Sequence, residues 1–303
     1  MHRRMIFFFL VVLTTTMPAA AQSASDALNQ FHGKILLLRH PLENHSQQYD
    51  AEGNPLNGAG EGPWTVYSGI LIDQVSLQAD QLRMEGRRML FQFEKGQVKL
   101  MEFKKLRNRR DPPFPPQVKL EMKLEHPLDS AEQANAALSH IFFLNSSDFL
   151  NSLPEFWQEC LANGFTYDPS QPQEAEFRWN EPPRDNRKMV HIEPAATRDR
   201  KIAGPEPDVL HIGSGVSAPR PTFTPEPQFS EIARYEQFQG VLVTRVIVGT
   251  DGRLHGIQVL RPLGLGLDDS ALTALQTWRF DPSKRDGQPV AVEMNIEVAF
   301  HLY

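Results

Sequence analysis

The sequence predicts an α+β protein. A C-terminal β-β-α-β unit carries a three-stranded antiparallel sheet, and a β-rich N-terminal domain ending in one or two helices precedes it. Three observations carry this reading. Leu242, Thr244, Val246 and Val248 alternate with Val241, Val243, Arg245 and Ile247, which is the period of a strand. Leu267, Ala271, Ala274, Leu275 and Trp278 fall at helical spacing. Val292, Met294, Ile296, Val298 and Phe300 return to period two.

At the start of the chain His2, Arg3 and Arg4 precede an apolar run from Met5 to Leu13, and Ala19-Ala20-Ala21 stands before Gln22. This is the layout of a secretory signal peptide, expected to cover residues 1–21. Its apolar part falls short of the roughly 20 residues a spanning helix needs. The alternative is an uncleaved N-terminal anchor.

Residues 22–165 form the expected N-terminal domain. Lys34 to Leu38 is a short apolar strand, and Asp50 to Pro63, rich in Gly, Pro and Asn, is a loop. Trp64–Leu77, Gln81–Phe93 and Gln97–Phe103 read as strands. Val118, Leu120, Met122 and Leu124 alternate with charged residues, so that strand has one solvated face. Asp129 or Ser130 can cap a helix over Ala131–Phe143, and Pro154 suits the first turn of a second helix running to Leu161. Lys104, Lys105, Arg107, Arg109 and Arg110 form a basic cluster before a proline-rich run. It is read either as a solvated loop or as a contact for an anionic surface.

Residues 166–217 are rich in proline and polar side chains and read as a linker, with a brief strand at Val209–Ile212. The last domain, 218–303, begins with a short helix over Ser230–Phe238. Asp251-Gly252 turns the first hairpin, Asp268 is the expected helix cap, Pro282 stops the helix, and Asp286-Gly287 turns into the final strand, Val290–Leu302.

The joint order of these features resembles the C-terminal domain of TonB-family energy transducers. The features are SEIARYEQF before Gly240, the Asp-Gly hairpin, Leu267-Asp268 with Ala271-Leu272, Trp278-Arg279-Phe280 with Pro282, and the apolar strand ending at Phe300. The resemblance covers a little over a quarter of the chain. It implies a module that binds outer-membrane TonB-dependent receptors, or a similar envelope protein, by accepting a peptide along the last strand. The implied partner-binding residues there are Glu293, Asn295, Ile296, Glu297, Val298 and Phe300. Pro227 and Phe229 stand where the family carries a proline-aromatic contact. The signal-peptide layout makes the periplasm the expected location, or the inner membrane if the N-terminus stays as an anchor. A second reading is an envelope scaffold that pairs with itself as a homodimer through the same edge.

Other classes find little support. A net charge of -6 argues against nucleic acid. Cys160 is the only cysteine, which leaves no disulfide framework and no cysteine metal cluster within the chain. There is no His-Glu-x-x-His. Gly264-Leu-Gly266 lacks the third glycine of a dinucleotide loop, and Gly213-Ser214-Gly215 is no nucleophile elbow. The sequence therefore predicts a non-enzyme with no metal, cofactor or small-molecule substrate.

Overall fold

The structure, a computed structural model, describes residues 23–58, 60–94, 97–104, 111–162 and 209–302. The expected signal segment, most of the expected linker and the basic cluster from Lys105 to Arg110 lie outside the described residues.

Helix α1 (Ala24–Asn29) is capped by Ser23, whose hydroxyl accepts from the Asp26 N–H. Strands β1 (Ile35–Leu38) and β2 (Ser46–Tyr49) follow. Residues 64–67, expected as the start of a strand, instead form helical turn α2 (Trp64–Tyr67), opened by Pro63. The strand begins only at the buried Ser68–Gly69 corner. β3 (Gly69–Gln78), β4 (Gln81–Glu94), β5 (Gln97–Glu102) and β6 (Gln117–Lys123) complete the run. Helix α3 (Ala131–Ile141) takes Ser130 as its cap. It ends two residues earlier than its spacing predicts, because Phe142–Phe143 leaves as strand β7 to pair with β1. The short helix α4 (Ser146–Ser152), capped by Asn145, was not legible; α5 (Glu155–Ala162) was.

The sheet runs β2-β6-β4-β3-β1-β7, with β5 added to the far end of β4. It is antiparallel except for β2 with β6. Opposite a bulge between Ile72 and Gln74, Gly86 lets the strands close up, since a Cβ there would stand 2.4 Å from the Leu71 carbonyl oxygen. β1 explains its own composition. Leu36 and Leu38 enter a core with α1 and α3, while Leu37 enters a second core on the opposite face. A strand covered on both sides reads as a continuous apolar run.

The C-terminal part starts with β8 (Leu210–His211) and β9 (Arg220–Phe223). Helix α6 (Glu231–Glu236) follows, its cap Ser230 accepting from the Ala233 N–H. Then come β10 (Gly240–Val248), β11 (Leu254–Arg261) and helix α7 (Leu267–Thr277). Short strands β12 (Arg279–Asp281), β13 (Ser283–Arg285) and β14 (Gln288–Val290) lead to β15 (Val292–Phe300). The three expected strands lie in order β11-β10-β15, with the central β10 antiparallel to both neighbours, and β8 adds a fourth, parallel to β15. Leu242, Thr244, Val246 and Val248 are fully buried, as their alternation predicts.

One apolar core joins the two parts. It runs from Leu37, Trp64, Phe91, Phe93 and Trp157 to Leu242, Leu265, Leu275 and Phe300. The Trp64 ring stands 5.1 Å from both Phe91 and Trp157. Such aromatic pairs add about 0.5–1.5 kcal/mol each beyond burial. The polar seam is an antiparallel bridge between β4 and the loop before α7. The Phe93 N–H donates to the Leu263 carbonyl at 2.9 Å, and the Leu265 N–H donates to the Phe91 carbonyl at 3.0 Å. The Gly266 N–H reaches Thr65 Oγ1 at 3.0 Å. Gly264 lies between, at φ +83°, where a Cβ would stand 2.1 Å from the Phe91 carbonyl oxygen.

Gly264→Ala should therefore cost about 2–4 kcal/mol of folding stability, from a positive φ and a backbone clash together. Urea denaturation followed by tryptophan emission measures this. An unchanged midpoint would refute the seam.

Candidate functional site

The sheet of the C-terminal part has two edges, and they differ. Helix α5 lies against β11, with Trp157 and Leu161 buried in the shared core. On the other side β15 pairs with β10 without a register shift from Val292↔Val248 to Phe300↔Gly240. β8 covers only the start of its outer edge, at Val292↔Leu210 and Glu293↔His211.

Register decides which backbone groups of β15 face outward. Both main-chain groups of a strand residue point to one side, and the side alternates along the strand. The Ala291 carbonyl accepts from the Leu210 N–H at 2.9 Å, away from β10. The outward set is therefore Glu293, Asn295, Glu297 and Ala299. Glu293 faces β8. Asn295, Glu297 and Ala299 present their N–H and C=O groups to an edge with no strand partner among the described residues.

The residues expected to bind a partner divide accordingly. Ile296, Val298 and Phe300 bury their side chains in the core and turn their backbone to β10. The Asn295 and Glu297 side chains are exposed. The Glu293 side chain does not project freely: it is 12% exposed and its Oε1 lies 3.5 Å from Arg245 Nε. Phe229 packs edge-on against Phe300, with ring centroids 5.7 Å apart, so the segment around Pro227 reaches the far end of β15. Ala299 was missed because its edge role depends on backbone parity, which side-chain pattern does not reveal.

Residues 225–302 match the family described as the Gram-negative bacterial TonB protein C-terminal. The chain carries a TonB C-terminal domain. Over 78 residues it is 33% identical to Protein TonB of Vibrio cholerae, a stretch that is 25% of this chain and 32% of that relative. The matched part thus spans about a third of the relative's length. The solution NMR structure of the Pseudomonas aeruginosa TonB CTD aligns at 22% identity with a TM-score of 0.23, over 30% of this chain and 92% of that one.

In the TonB C-terminal domain, Asp268 and Asp269 have separate roles. Asp268 is not the helix cap; Gly266, in the left-handed region, holds that position. The Asp268 carboxylate is buried and accepts from the Leu263 N–H at 2.7 Å and the Gly264 N–H at 2.6 Å, shaping the seam loop. Burial pushes its carboxyl up to about 7, and that of Asp269 up to about 6. No group of three His, Cys, Asp or Glu side chains among the described residues converges to hold a metal ion.

A carboxyl that ionises more readily in the unfolded chain opposes folding once it is charged. For Asp269 that penalty is absent below about pH 4 and complete above about pH 7. A shift of two pKa units corresponds to about 3 kcal/mol. The positive end of the helix dipole at the start of α7 offsets part of this. Asp269→Asn should accordingly raise the melting temperature at pH 8 and leave it nearly unchanged at pH 4. Scanning calorimetry at the two pH values distinguishes this from a pH-independent effect.

Proposed function

We propose that this is a periplasmic envelope protein whose TonB C-terminal domain binds an outer-membrane TonB-dependent receptor by strand addition, in support of transport across the outer membrane. The observation that carries the reading is the open edge of β15. Asn295, Glu297 and Ala299 offer about six backbone donors and acceptors in a regular row. Each hydrogen bond contributes on the order of 1 kcal/mol net, so the row suits a peptide held mainly by its main chain.

The side chains around the row agree with this use. Ile296, Val298 and Phe300 keep the strand flat against the core, and the exposed Asn295 and Glu297 flank the site an added strand would take. A charged edge residue discourages indiscriminate pairing, including pairing of the edge with itself. This favours the receptor over the homodimer.

The edge also identifies the residue to change. Ile296 donates into the β10 ladder, so proline there would damage the sheet. Glu297→Pro removes an outward donor and spares that ladder. Peptides copying the periplasmic boxes of TonB-dependent receptors should bind the full protein in the micromolar range by fluorescence anisotropy. The folded Glu297→Pro protein should bind them at least tenfold more weakly. Failure of every box peptide to bind, or equal binding by the proline variant, would overturn the proposal.

A further inference from the structure

A second surface of the C-terminal part has the makings of a binding site separate from the β15 edge. Helix α7 buries Leu267, Ala271, Leu272 and Leu275 and turns Asp269, Thr273 and Thr277 to a groove of about 640 Å³. The facing wall is the segment from Pro225 to Glu231, and Pro63 of the N-terminal part contributes to the lining.

This wall is pinned at three points. Trp278 Nε1 donates to the Pro225 carbonyl at 3.1 Å, Ser230 Oγ donates to the Leu265 carbonyl at 2.6 Å, and Ser270 Oγ donates to the Gln228 carbonyl. Two prolines in five residues restrict it further. The groove is thus formed before anything enters it, which lowers the entropic cost of binding.

Its charge is one-sided. Glu226, Glu231 and Asp269 supply carboxylates to the lining, and no lysine or arginine lines it among the described residues. Arg234 is one turn away but lies over the Phe229 ring, 5.4 Å from its centroid. Asp269 is distinctive. Its neighbour Asp268 is bonded to the seam loop, whereas the Asp269 Oδ2 is buried with no hydrogen-bond partner. A buried, unpartnered carboxylate oxygen is costly, and a turn of the Asp269 side chain that brings it into the groove against a cation relieves that cost.

We propose that this groove binds an arginine side chain of an extended peptide, with its guanidinium on the Asp269 carboxylate and its aliphatic stem along Pro225, Pro227 and Ala274. Arginine fits better than lysine on physical grounds. Its guanidinium is more weakly hydrated, so it enters a half-buried, proline-walled site at lower desolvation cost, and its planar fork matches a carboxylate.

The test titrates the ¹⁵N-labelled full protein with acetyl-Ala-Arg-Ala-amide, using the neutral citrulline peptide as the isosteric control. The amide signals of Thr273, Ala274 and Thr277 should shift saturably with the arginine peptide, and at least tenfold more weakly with citrulline. Asp269→Asn should weaken binding at least tenfold. Thr273→Arg, on the exposed face one turn from Asp269, should block the site with a resident guanidinium while leaving the buried face of α7 intact. Glu297→Pro should bind the arginine peptide normally, which separates this site from the β15 edge. Equal binding of the citrulline peptide, the absence of a saturable shift, or full binding by both groove variants would overturn the proposal.

Discussion

The bridge between Phe91–Phe93 and Leu263–Leu265 is the contact on which the rest of the molecule depends. It requires a loop that presents main-chain groups outward in strand fashion immediately before a helix. Asp268 supplies that shape from within the helix by holding two N–H groups of the loop. Gly264 supplies the close approach. With the loop fixed, Leu265 and Leu267 drop into the same core as Trp64 and Trp157, and the two parts of the chain share one interior. The buried carboxylate is not free of cost, but the backbone bonds it receives make it a structural fastener rather than an idle charge.

That fastening breaks the symmetry of the C-terminal sheet. With α5 against β11 and β8 reaching only the first two residues of β15, the described structure leaves one long edge open. An open edge is a liability unless it is used or guarded. Here the guard is modest, an exposed Asn295 and Glu297, while the apolar side chains between them are withdrawn into the core. The edge thus offers backbone and little side-chain surface, a combination suited to recognising chain direction and extension more than residue identity.

Much of the C-terminal part was legible because its side-chain periods coincide with its burial. β10, α7 and β15 follow from alternation or helical spacing, β11 from the Asp-Gly turn before it, and α6 from the family resemblance. Four features of the whole molecule were not. Trp64–Tyr67 carries strand-like residues but turns as a helix after Pro63, because the chain must change direction before Gly69. The shared core was invisible because Phe91, Phe93, Trp157 and Leu265 look like the interior of their own local elements; nothing in their identity says they meet. The outward groups of β15 were hidden for a geometric reason. Side-chain alternation reports the two faces of a sheet, whereas the edge is perpendicular to both and is fixed only by pairing with Gly240–Val248. The Asp269 groove combines residues from α7, the Pro225–Glu231 segment and Pro63, three stretches far apart in the chain.

The unbroken register of β15 with β10 has a mechanical consequence. Hydrogen bonds between strands lie across the strand direction. A tension applied along a strand seated on β15 loads every bond of the row together in shear, whereas a tension applied across it opens them one at a time from an end. The ladder beneath, nine residue pairs without a bulge, would carry the same shear into the core. The β15 edge is therefore strong along its length and weak across it, and the direction of pull alone determines whether an attached strand holds or peels away.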